Sequence, residues 1–110
     1  MFTGSKMILT TIDHIPGAEI GEHYGMVTGS TVRAKHVFTD FMSGLKNIFG
    51  GEMGGYTALL EETRQQSIDR MVQQAEKLGA NAVLNIRFAT SDIAQGAAEI
   101  YVYGTAVKVR

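Results

Sequence analysis

The stretch Tyr56–Leu78, YTALLEETRQQSIDRMVQQAEKL, sets the architecture of the chain. Apolar residues recur at Tyr56, Leu59, Leu60, Ile68, Met71, Val72, Ala75 and Leu78, mostly three or four apart, as on one face of a helix. Thr63, Arg64 and Ser67 interrupt this stripe once without moving it. The opposite face carries Glu61, Glu62, Gln65, Gln66, Asp69, Arg70, Gln73, Gln74 and Lys77. Acidic residues early and Lys77 late follow the order the helix dipole favours. Gly54-Gly55 and Gly79 bound the stretch, and Gly79 suits the left-handed residue that ends many helices. At about 1.5 Å per residue the helix is roughly 34 Å long.

Beyond the helix, Ala80–Thr90 reads as a strand in which Ala82, Leu84, Ile86 and Phe88 alternate with Val83, Asn85, Arg87 and Ala89. Ser91–Gly96 connects it to a last strand, Ala97–Val109. There Ala98, Ile100, Val102 and Ala106 alternate with Glu99, Tyr101, Tyr103 and Thr105. The two are close enough to form a hairpin.

Before the helix, four of the six residues Gly50–Gly55 are glycine, a flexible or strongly turned linker. Val37–Phe49 reads as a short helix with the stripe Phe38, Phe41, Met42, Leu45, Ile48 and Phe49. Asp40 and Lys46 are its charges, so it needs cover from the domain or from another subunit. Ala18–Val32 reads as the first main strand. Tyr24, Met26 and Thr28 share one face; His23, Val27 and Thr31, with Gly25 and Gly29, share the other. A face with two glycines invites close approach by a helix. Residues 1–17 form an extended arm. Lys6–Ile12 can pair as an edge strand or reach a neighbour, and Asp13–Gly17 is a turn set by Pro16 and Gly17.

This order makes a single α+β domain of 110 residues. Three strands and one long helix leave a face and two edges open. Together with the apolar short helix, that predicts a symmetric homo-oligomer.

Composition excludes several classes. Net charge is -1, and the 10 Lys and Arg residues form no basic stripe, which argues against nucleic acid as the partner. Met7-Ile8-Leu9 is too short for a signal-peptide core or a membrane span. No cysteine is present, which removes disulfides and thiolate ligands and agrees with a cytoplasmic location.

The candidate chemistry is sparse. His36 and Asp40 are one helical turn apart and face one ion if the short helix begins by His36. With His23 they make the candidate metal set, for a divalent ion. No HExxH or Cys/His pattern accompanies them. Gly54, Gly55 and Tyr56 stand at the helix N-terminus, where free N–H groups attract anions; no GK[ST] follows, so this is no P-loop. No serine has a GxSxG context, and no nucleophile, base and orienter come together, so the expectation is a non-enzymatic protein.

Tyr24-Gly25-Met26-Val27-Thr28-Gly29, Asp40-Phe41, Gly55-Tyr56, Leu78-Gly79-Ala80-Asn81-Ala82-Val83 and Gly104-Thr105-Ala106-Val107 together resemble the YbjQ family, small bacterial proteins of unsettled function. The resemblance runs from about Ile20 to Val109. It implies a two-layer β-α-β-β unit with an antiparallel sheet, assembled as a ring of five subunits, and heavy-metal binding. It carries no ligand set onto this sequence.

Overall fold

The computed structural model describes residues 7–34 and 54–110. The short helix read over Val37–Phe49, with His36 and Asp40, lies outside the described residues. These residues form β1 (Ile8–Leu9), β2 (Ile20–Ala34), α1 (Gly54–Leu78), β3 (Ala82–Ala94) and β4 (Ala97–Val109). The sheet order is β1-β3-β4-β2. β4 is antiparallel to both β2 and β3, whereas β1 runs parallel to β3. The expected antiparallel sheet of three strands is therefore a mixed sheet of four. The arm supplies the difference, because residues 8–12 run along β3 of their own chain.

Local chemistry sets the corners. Pro16 and Gly17 turn the chain between the Ile15 carbonyl and the Ala18 N–H, 3.0 Å apart, with Gly17 at φ 82°. At the end of α1, Gly79 takes φ 90° and the Ala80 N–H donates back to the Ala75 carbonyl at 3.1 Å, the closing bond of a Schellman cap. β3 extends past the expected Thr90 to Ala94, and Gln95-Gly96 turn directly into β4, with Gly96 at φ 83°.

α1 packs chiefly on β2, less on β4 and scarcely on β3. Thr63 and Ser67, which interrupt the apolar stripe in sequence, are fully buried, while Leu78 is 45% exposed. The packed row is Leu59, Thr63, Ser67, Met71 and Ala75, one residue every four. Small residues are needed because the helix backbone touches the strand. A Cβ on Gly29 would sit on the Ser67 carbonyl oxygen and 2.5 Å from the Met71 nitrogen. Around this contact the Thr31 and Ser67 hydroxyls are 3.0 Å apart, and Ser67 Oγ lies 3.1 Å from the Ile100 carbonyl. One consistent path of donation runs from Thr31 to Ser67 to Ile100, and Thr63 donates to the Leu59 carbonyl at 2.9 Å. All three hydroxyls of the seam thus have partners.

Two bulges correct the face assignments. Between His23 and Gly25 the pairing with β4 shifts, and Gly25 takes φ 91°. Tyr24 thereby packs on the helix-side core, while Met26 is 73% exposed on the other face. In β3 the pairing skips between Leu84 and Arg87, and Asn85 takes φ 54°. Ala82 and Leu84 point to the outer face, with Val107, Val109, Ile15, Ala18 and Ile20. Ile86 instead joins Val83, Val27, Met71 and Val102 on the helix side. Strict alternation put Ala82, Leu84, Ile86 and Phe88 together; one extra residue reverses the phase between Leu84 and Ile86.

No helix among the described residues is long and apolar enough to cross a membrane.

This packing can be tested at two positions. Gly29→Ala forces helix and strand apart, an overpacking cost of about 3 kcal/mol. At about 4–8 °C per kcal/mol, calorimetry should show Tm falling by ten degrees or more. Burial first, then the Glu22 carboxylate, holds the Tyr24 phenol above its ordinary value of 10.0. A raised phenol favours the folded state fully below 10.0, and that contribution is lost as pH rises through the folded-state value. Phenolate absorbance should place Tyr24 above 10.0, and Glu22→Gln should bring it down.

Candidate functional site: an apolar groove beside the helix

The β3 bulge shapes an apolar concavity on the helix side of the sheet. Since α1 leans over β2, nothing on the helix reaches far across β3, and Ile86 and Phe88 emerge beside Ile68. Leu9, Thr10 and Thr11 close the other side, giving a groove of about 360 Å³. The arm is fastened to the bulge. The Asn85 N–H donates to the Ile12 carbonyl at 3.0 Å and the Ile86 N–H to the Thr10 carbonyl at 3.1 Å. Arg87 Nη1 donates to the Thr11 carbonyl at 2.8 Å. A bulge leaves two consecutive N–H groups needing acceptors, and the arm supplies both.

The groove is apolar apart from the Thr10 and Thr11 hydroxyls, and Phe88 remains 43% exposed. No carboxylate, imidazole or amine among the described residues lines it. It can bind apolar surface; it offers no group for acid–base or nucleophilic work.

The residues singled out from sequence lie elsewhere. His23 is exposed on β2, paired with Val107. Its expected companions His36 and Asp40 fall outside the described residues. Among the described residues, no three His, Cys, Asp or Glu come together. Gly54 and Gly55 open α1, with Tyr56 in its first turn, and that turn contains no acidic residue. Tyr101 and Tyr103 are neighbours on the outer face, ring centroids 6.0 Å apart.

Asp13 and His14 do meet. His14 Nδ1 lies 2.9 Å from Asp13 Oδ1 on the exposed turn. This hydrogen bond, then the charge of the ring, holds the Asp13 carboxyl below its ordinary value of 3.8. In the neutral ring, with Nδ1–H donated to the carboxylate, Nε2 keeps a free lone pair, the arrangement that orients a metal-ligating imidazole. A single donor is nonetheless far short of the three or four that a metal site needs.

The groove does not show in the periodicity of the sequence. Its signals are Asn85 inside an apolar run and Gly104 in the partner strand. A Cβ on Gly104 would come 2.6 Å from Val83 Cγ1 and 2.9 Å from the Leu84 carbonyl, so only glycine fits beneath the bulge.

Comparison with known proteins places this architecture. Residues 7–110 match the YbjQ family, described as "Putative heavy-metal-binding". A UPF0145 protein of Hahella chejuensis is 62% identical over 101 residues, covering 92% of this chain and 97% of the relative. One from Psychrobacter arcticus is 59% identical over 91% of this chain, which spans 63% of that protein's length. Relatives extend to the archaea: one from Methanosarcina acetivorans is 54% identical over 94% of this chain and 97% of its own. A solved structure from Pediococcus pentosaceus, a DUF74-family protein of unknown function, shares the fold. Its TM-score is 0.55 at 16% identity, over 94% of this chain and 98% of that one. A two-layer α+β unit with this mixed sheet, matched along nearly its whole length, belongs to the YbjQ family of UPF0145 proteins.

Proposed function

We propose that the protein is a self-assembling, non-enzymatic binding protein of the cytoplasm, one subunit of a ring of identical chains, that binds divalent heavy-metal ions. The groove, uncovered among the described residues, carries this reading. Ile86 and Phe88 sit in an apolar groove that α1 borders only at Ile68 and that nothing else among the described residues covers. Such a surface is stabilised by a partner, and a copy of the same chain is the partner always at hand. The family resemblance favours five subunits.

Assembly also bears on metal binding. A lone exposed imidazole such as His23 is a poor site, but a closed ring repeats it around an axis, and three copies meet the requirement for converging ligands. His23, with His36 and Asp40, is the set proposed for this role. The family description supports metal binding as such, and the absence of cysteine directs it toward metals that accept imidazole and carboxylate, such as zinc, nickel or copper.

A second reading takes a small anionic ligand near Gly54, Gly55 and Tyr56, at an inter-subunit cleft. It is favoured by the start of the 25-residue α1 at two glycines with no acidic side chain in the first turn.

Light scattering at micromolar concentration should give a multiple of the 11.9 kDa chain mass, and a monomer would overturn the ring. In thermal-shift measurements, zinc, nickel or copper should raise Tm, and His23→Ala should remove the shift. Stabilisation by phosphate alone, abolished by Gly54→Ala with Gly55→Ala, would decide for the anion instead.

A further inference from the structure

The pairing of β3 with β4 is out of step over one segment. Leu84 faces Thr105, but Arg87 faces Tyr103, one residue further along β3 than plain alternation gives. Near the hairpin a second shift of the same sense separates Asp92, which faces Ala98, from Ala94, which faces Ala97. Residues 87–92 thus sit between two irregularities. Removing the first would produce another complete register: Ile86 on Tyr103, Arg87 on Val102, Phe88 on Tyr101, Ala89 on Ile100 and Asp92 on Ala97. Residues 93–96 would then form the hairpin loop, at a length that hairpins commonly use.

The two registers exchange faces. In the observed one, Arg87 and Ala89 lie beside Tyr103 and Tyr101 on the outer face, and Ile86 and Phe88 line the groove. In the other, Ile86 and Phe88 would join the tyrosines and Leu84 outside, while Asn85 and Arg87 took their places on the helix side. Asn85 would also leave its φ of 54° for an ordinary extended conformation. What favours the observed register is the arm. The Ile12 and Thr10 carbonyls accept the N–H groups of Asn85 and Ile86 at 3.0 and 3.1 Å, and Arg87 Nη1 donates to the Thr11 carbonyl at 2.8 Å. Leu9 packs against the same helix-side core. With the arm away, those donors lose their acceptors and Ile86 and Phe88 lose the neighbour that walls them from solvent. The alternative register answers both changes. It sets polar Asn85 and Arg87 on the bared surface and pairs the two apolar side chains with aromatic rings across the strand.

We propose that the arm is a register switch for β3. Docked, it selects the bulged register and forms the apolar groove. Released, it lets residues 85–92 slip by one position, which removes Ile86 and Phe88 from the groove and puts Arg87 in their place. The arm is thus a strap that biases an element with two discrete arrangements. This goes beyond the self-assembly reading and does not depend on what the groove receives.

The chain has no cysteine, so engineered thiols report without background. Ala89→Cys with Tyr101→Cys reads the bulged register, and Phe88→Cys with Tyr101→Cys reads the slipped one. Each full-length chain is equilibrated in a glutathione buffer, and the disulfide within one chain is measured by mass. With the arm intact, the Ala89/Tyr101 pair should close and the Phe88/Tyr101 pair stay reduced. Thr10→Pro removes the N–H that donates to the Val83 carbonyl at 3.1 Å and so loosens the arm. In that background the pattern should reverse. Arg87→Ala, which removes only the clasp on the Thr11 carbonyl, is the milder variant and should move the Phe88/Tyr101 pair in the same direction. Circular dichroism checks that each variant keeps its fold. A Phe88/Tyr101 pair that stays reduced in the folded variants shows that the bulge stands without the arm and overturns the proposal. Ready closure of that pair with the arm intact overturns it equally, since the arm then selects nothing.

Discussion

The contact of α1 backbone against β2 at Gly29 governs the rest of the structure. A helix on a sheet ordinarily stands off by the length of two side chains. Here Ser67 and Met71 backbone atoms meet a strand position with no side chain at all. The contact holds because hydroxyls small enough to fit find partners in the dry seam: Thr31 and Ser67 bond each other, Ser67 reaches the Ile100 carbonyl, and Thr63 donates to the Leu59 carbonyl. It also draws the helix toward β2. Gln66, Arg70 and Gln74 then overhang the sheet and occupy the polar groups of that edge. One side of the sheet is thereby sealed, and α1 leaves the other, over β3, largely uncovered.

The bulge at Asn85 turns that bare area into a groove. With plain alternation, Ile86 would join Ala82 and Leu84 on the outer face, against Ile15 and Ile20. The extra residue sends Ile86 and Phe88 to the helix side and aims two successive N–H groups at the arm. Gly104 makes room beneath, and residues 10–12 wall off the far side. Close packing at one edge of the sheet and a register change at the other are thus parts of one design. The first tilts the cover away, and the second places apolar side chains in the space it leaves.

The groove offers apolar surface for recognition. The groove lacks ionisable groups among the described residues, and the exposed Asp13–His14 pair stands alone on its turn. Kinship with UPF0145 proteins supplies a fold and a family without a settled activity. A molecule with one imidazole here and another there gains a multidentate site when copies gather round an axis. The proposed interface and the proposed metal site are linked for that reason: in a ring, contact between copies would bring the ligands together.

The elements themselves could be read from the chain. The 3.6-residue period over Tyr56–Leu78 and its closing glycine, the Pro16-Gly17 turn, the β3–β4 hairpin and the glycine-marked approach at Gly29 all arise from local chemistry, which neighbouring residues carry in full. The depth of Thr63 and Ser67 was not legible, because small polar residues interrupt an apolar stripe in the same way whether they face solvent or a glycine. Nor was the phase of β3, since a bulge is decided by what Gly104 permits in the partner strand and by the acceptors the arm provides. The parallel pairing of the arm and the tilt of the helix toward β2, and hence the groove, belong to the folded molecule. They depend on contacts between residues far apart in the chain, which no local pattern encodes.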